Sequence, residues 1–432
     1  MVFTKKKQST KQTPNTDKKK PRVSSNSKKK PPKKKKSTKQ LVKKKLEKNS
    51  PLYFDDHSIL CIDAEKNYKE YMKPSPNDEK VVKDCKEHIL KVCNGINYSV
   101  YFTSGETESN SIILCCAINA YKKLRKIKPH VLISAIEHDS IIKCAKSMED
   151  SDQIELTIIQ PNIYGCILSD GIEKYIKSNT CLVSIMFVNH ELGAVNNIPK
   201  IGEYLHNKHI PLHSDCTHLF GKHALDVKKS NIDAATISFD VIHGSDNGAL
   251  IINNDFFTGY KLSEHSTTLS GSRNENIPAV ASALAAVKCS LTNRKKKNTK
   301  LLKLRKDLIE KLSKFCQIIN YSTYLKSDDP PLTGNEKPRI IILGPPLDGE
   351  SYYVPGILSI SVLSNHKVNL QKELEKNKII IRSGYGDNGY VYDAITAPKE
   401  IKDSIIHITI SDITSPANID KLAKCMQKIL TL

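Results

Sequence analysis

Several things this 432-residue sequence lacks narrow what it can be. None of its 12 cysteines is spaced as CxxC and no apolar leader opens the chain. Together these predict a reduced intracellular compartment, cytoplasmic or nuclear, rather than a disulfide scaffold. The longest apolar runs are far too short to span a bilayer, so no membrane partner is expected. Acidic residues are nearly missing from the first fifty positions, where Asp17 and Glu47 stand against 19 lysines and one arginine. Of the formal net charge of +21, +18 therefore lies before position 51, and the remaining chain is close to neutral.

Residues 1–48 alternate lysine clusters with Ser, Thr, Gln and Pro, and carry no aromatic residue beyond Phe3. Such a composition cannot bury enough apolar surface to offset ordering entropy, and it predicts a disordered basic arm. Charge this concentrated seeks polyanions by phosphate neutralisation and counterion release, and PPKKKK also fits a nuclear-import signal. A solubilising tail is the plainer alternative. Without aromatics, base stacking and sequence readout are not expected.

The chain after the arm is long enough for two domains. Residues 181–250 alternate an apolar run (CLVSIMFV), a turn, an amphipathic stretch (IPKIGEYLHNK), a second run (IPLHSD) and two more, AATISF and GALII. That alternation predicts a parallel α/β sheet. Ligands of such sheets sit beyond the carboxyl ends of the strands, which singles out Asn189, His190, Asp215, Asp240 and Val241. Upstream, YSVYF runs through TSGETESN into a long apolar-faced helix, and unpaired amides at such a helix start suit a phosphate. An alternative is a helix start kept for the fold alone, with Glu106 favoured by the dipole. His138, His190, His218 and Asp215 are expected to converge on one pocket. No HxxxH or HxH spacing among them pre-positions a metal, and no metal site is predicted.

These segments resemble the cysteine desulfurases of the NifS type, which have the class V aminotransferase fold and depend on pyridoxal phosphate (PLP). The resemblance rests on VNHELG, HSDCTH, GK at 221–222, SFDVIHG and NGAL, on TSGETESN, and on IEH ending at His138. It covers the chain from about residue 51 and extends to the NifS-like proteins of large DNA viruses. It implies an α/β large domain at 49–300, a mostly parallel sheet with helices on both faces, and a smaller α+β domain at 301–432. A long helical stretch after Pro278, broken near residues 292–298, would join them.

By this resemblance Thr107, His138, His190, Asp215, His218, Ser238 and Ser272 would line the cofactor, with Asp215 on the ring nitrogen and His138 stacked on the ring. Ser272 lies in LSGSRNENIP, which implies a homodimer with shared sites. The Schiff-base lysine position is taken by Val241 and the residue before it by Asp240. The nucleophilic cysteine position is taken by Asp387, and the substrate-binding arginine by His407. No cysteine occurs between Cys316 and Cys425. Without an amine at 241, aldimine exchange and α-proton transfer lose their group. The expected function is a degenerate NifS-like protein without catalytic residues, a dimeric scaffold whose arm binds nucleic acid or directs nuclear entry, packaged in a virion if viral. The alternative is an active PLP enzyme with relocated catalytic groups.

Overall fold

A computed structural model describes residues 51–54, 60–256, 275–327, 336–346, 353–365, 368–384 and 390–431. The basic arm lies outside the described residues, as do Ser272 and Asp387.

Two sheets organise the chain. The larger has seven strands: β2 (Tyr98–Thr103), β3 (His130–Ser134), β4 (Glu155–Ile159), β5 (Thr180–Ser184), β6 (Leu212–Asp215), β7 (Ala234–Ser238) and β8 (Gly248–Asn253), in spatial order β2-β8-β7-β6-β5-β3-β4. β4, β3, β5, β6 and β7 pair in parallel. β3, β5, β6 and β7 are buried along their whole length, as expected of strands covered on both faces.

One strand departs from the parallel reading. β8 runs antiparallel to both β7 and β2. Only a short turn separates β7 from β8, and a parallel return would need a crossover of a dozen or more residues. The apolar run GALII shows that a strand is there but not its direction.

The helices packed on this sheet include α1 (Ile62–Glu70), α2 (Asp78–Val92), α3 (Glu106–Arg125), α4 (Asp139–Asp150), α5 (Ile198–Asn207) and α6 (Ile277–Leu291). α3 carries acids in its first turn and Lys122, Lys123 and Arg125 in its last, which complements the helix dipole at both ends. It buries Ile113, Leu114, Ala117, Ile118 and Tyr121 in a core shared with Val131 and Ile133 of β3. Its start is set close to the sheet by Gly248. A Cβ there would fall 2.8 Å from the carbonyl carbon of Gly105 and 2.8 Å from the carbonyl oxygen of Ile237.

The helical stretch after Pro278 breaks at Thr292 and Asn293, where Asn293 has φ 59°, and resumes as α7 (Arg294–Ser313). A second, C-terminal sheet domain follows. Its strands β9 (Gln317–Asn320), β10 (Arg339–Leu343), β11 (Ile357–Leu363), β13 (Arg382–Ser383) and β14 (Ile405–Thr409) lie in the order β13-β14-β11-β10-β9. All pairs are antiparallel except β9 with β10. A short ribbon pairs β1 (Leu52–Tyr53) with β12 (Ile379–Ile380), so the segment entering the fold is stitched to the C-terminal part, where Phe54 is buried. Helices α8 (Leu370–Lys376) and α9 (Pro416–Leu430) complete it. No helix of the described residues is long and apolar enough to cross a membrane.

Candidate functional site at the carboxyl ends of the parallel strands

The turns that follow β2, β3, β5, β6 and β7 bring the singled-out residues together at one end of the large sheet, where a doubly wound fold opens its crevice.

Asp215 closes β6 and is 3% exposed. Its Oδ2 accepts from Asn110 Nδ2 at 2.9 Å and its Oδ1 from the Thr217 amide at 3.0 Å. Asn110 sits one turn into α3, so the helix start and the strand end are locked through this carboxylate.

His138 is the N-cap of α4. Its Nδ1 accepts from the Ser140 amide at 3.2 Å, which leaves Nε2 to carry the ring proton. Nε2 faces Glu106 Oε1 at 3.0 Å. Beyond it the rings continue in a row, with centroids 5.8 Å apart for His138 and His190 and 5.7 Å apart for His190 and His218. His190 is held in place because Asn189 Oδ1 accepts from the Glu191 and Leu192 amides at 3.1 and 2.8 Å. Among the described residues no group of three His, Cys, Asp or Glu side chains could hold a metal ion.

Glu106, at the first position of α3, faces inward. Burial pushes its carboxyl up to about 7, with Asp215 and Asp240 adding to the rise, while His138 and a hydrogen bond to Thr217 oppose it. Glu108 on the same turn accepts from the Ser104 amide at 2.6 Å. Thr107 is exposed, and its carbonyl takes the Ser111 hydroxyl at 2.8 Å. Ser238 gives its hydroxyl to Asp240 Oδ1, and Val241 is buried in the main core.

PLP can be tested against this arrangement. Asp215 and His138 have the chemistry to receive a pyridinium ring. Val241 supplies no amine. The helix start that would seat a phosphate dianion carries the inward-facing Glu106, and its Ser104 amide is already taken by Glu108. A dianion beside these carboxylates is repelled, so the anchor and the seat do not fit the group.

His407, on β14, is equally unsuited to grip a carboxylate. Its Nδ1 lies 2.8 Å from Ser359 Oγ and its Nε2 3.2 Å from the Gly384 carbonyl. Burial, with Arg382 adding to it, pulls the imidazole down to about 3, so it is neutral. Two other groups escaped the sequence reading. Arg382 pairs in register with His407 and carries the positive charge of this corner. Glu191 lies within its field: burial lifts its carboxyl to about 7 against the pull of Arg382. Only the strand register relates Arg382 to His407, and a single sequence gives no signal of that. Glu137 is a further buried acid. It accepts from the Met186 amide at 2.8 Å and from Ser134, and burial pushes it up to about 8.

The aminotransferase class-V family pattern matches residues 67–269. The chain is 32% identical over 235 residues to the NifS protein of Bacillus subtilis (strain 168), a match covering 54% of this chain and 58% of that protein. It is 37% identical over 176 residues to the cysteine desulfurase IscS of Plasmodium falciparum (isolate 3D7), covering 40% of this chain and 32% of that one. The matches thus span about half or less of the relatives' own length. Among solved structures, a NifS-like protein superposes with TM-score 0.71 at 19% identity, over 88% of this chain and 99% of its own. The NifS-like protein of Rickettsia africae ESF-5 does so with TM-score 0.70 at 20% identity, over 88% and 100%. At such identities the structural likeness speaks for the fold, and the sequence matches supply the family. The chain carries an aminotransferase class-V domain and belongs to the NifS-like family, whose members depend on PLP.

Proposed function

We propose that this chain is a NifS-like protein that has given up desulfurase chemistry and acts as a dimeric binding protein, held to nucleic acid by residues 1–48. The observation that carries the proposal is the Glu106–His138 pair at 3.0 Å, formed in the crevice where Val241 replaces the amine. A desulfurase also needs a thiol that accepts sulfur as a persulfide; the corresponding residue is Asp387, and a carboxylate cannot do this. The arm supports polyanion binding by its 19 lysines, and nuclear or virion residence would follow from the same charge.

The deciding experiment is the absorption spectrum of the purified protein from about 300 to 500 nm, before and after PLP and then borohydride. The reading expects no band near 420 nm that borohydride fixes to the chain. A band fixed in this way would establish an aldimine-forming lysine elsewhere and overturn the proposal in favour of an active PLP enzyme with relocated groups.

A further inference from the structure

Away from the crevice, two thiols meet at the base of the fold. Cys61 is the N-cap of α1, and Cys289 lies in the last turn of α6, the helix on which α1 packs. The two side chains are in hydrogen-bonding contact, and both are partly exposed. Cys289 opens onto a cleft of about 390 Å³ that it lines with Asp63 and Asn67 of α1 and with Lys288 and Thr292. Small solutes therefore have a route to the sulfur. Lys297 stands over this corner, donating from Nζ to the Cys289 carbonyl at 3.1 Å and to Asp412 Oδ2 at 2.8 Å.

We infer that Cys61 and Cys289 form a peroxide-sensitive dithiol whose oxidation to a disulfide ties α1 to α6. Cys289 is the attacking thiol. Its sulfur is drawn down to about 6, first by the hydrogen bond from Cys61 and further by Lys297, against burial and the Asp412 and Asp63 charges. Cys61 is pushed in the opposite direction, first by the same contact and then by burial, which keeps its proton on and available for donation.

The chemistry balances with hydrogen peroxide as oxidant. The Cys289 thiolate attacks one peroxide oxygen, the O–O bond breaks, and hydroxide leaves to take up a proton as water. Cys61, deprotonated as it reacts, then attacks the sulfur of the sulfenic acid. The S–O bond breaks and a second water departs. Two thiols lose two electrons and two protons, and one peroxide becomes two waters. A small dithiol reverses the change.

The bond would reach the crevice turn through the backbone. The Cys61 amide donates to the His243 carbonyl at 2.9 Å, two residues beyond Val241, and His243 Nε2 lies 3.2 Å from Asp412 Oδ1 in the C-terminal sheet domain. Oxidation thus clamps the turn that joins the two sheets.

The test uses the full chain, exposed to stoichiometric peroxide, alkylated with iodoacetamide and digested without reductant for mass spectrometry. A peptide linking Cys61 to Cys289 is expected, absent after dithiothreitol. The substitution Cys61→Ser keeps a capping side chain and should abolish the link while leaving a dimedone-reactive sulfenic acid on Cys289. Circular dichroism of that variant confirms that it folds, and Cys289→Ala provides the reciprocal loss. A link mapped instead to Cys115 and Cys144, the thiol pair across α3 and α4, overturns the assignment. So does native Cys289 reacting with peroxide no faster than the other cysteines.

Discussion

A carboxylate at position 106 makes the crevice a place of negative charge. Glu106 keeps its proton to about pH 7 because it is buried near Asp215 and Asp240. In the unfolded chain it loses that proton near the ordinary 4.5. The folded state therefore binds the proton more tightly, and stability falls as pH rises from about 4.5 to 7, with the full penalty present above 7. Glu106→Gln mimics the protonated acid. It should match the parent at pH 5 and exceed it at pH 8 by about 1–3 kcal/mol, a range kept modest because the side chain is still 22% exposed. Denaturant unfolding at the two pH values measures this. A difference between the two proteins that is the same at both pH values would refute the assignment. Glu137 and Glu191 slope the same way, so the variant removes only its own share of the pH dependence.

Among the elements, the meeting of α3 with β8 is the tightest. Gly248→Ala would press a methyl carbon against two backbone groups, 2.8 Å from each, and neither can swing aside. A loss of about 1–3 kcal/mol is expected, with a shifted start of α3 and weaker contact between Asn110 and Asp215. A thermal melt of the variant tests it, and an unchanged melting temperature would mean the helix start is free to move. This element also shows what the sequence could and could not say. The apolar runs disclosed the buried strands, and the residues after them fell in the crevice because a parallel sheet puts its strand ends there. The antiparallel course of β8 was hidden, since hydrophobicity has no direction. The partnership of Glu106 with His138 was hidden too. The two residues sit on separate loops, 32 positions apart, and only the packing of α3 beside β3 brings them within reach.

For the whole molecule, the charge division decides the expected behaviour. The arm carries +18 and the remaining chain about +3, so binding to DNA should weaken steeply with salt. The logarithmic slope is about −0.9 for each phosphate neutralised. Deleting residues 1–48 should abolish this salt-sensitive binding, measured by fluorescence anisotropy on a labelled duplex. Retained affinity would place the nucleic-acid surface on the fold instead. Sedimentation should give about twice the chain mass of 48.4 kDa for both forms. A monomer would remove the dimer from the proposal.

The three crevice carboxylates, Glu106, Asp215 and Asp240, bear on ancestry as well as on charge. A chain that had lost only its lysine could regain it by one codon change. Here Val241→Lys would place an ammonium among those acids, which hold it protonated and paired, so an amine would return without its nucleophilicity. Titrating that variant with PLP should yield a borohydride-stable adduct only once Glu106→Gln and Asp240→His accompany it. If the single change suffices, the barrier does not exist. If it does not, the crevice works as a ratchet: each later acid made the first loss harder to undo, and the lineage was committed to whatever the fold does without its old chemistry.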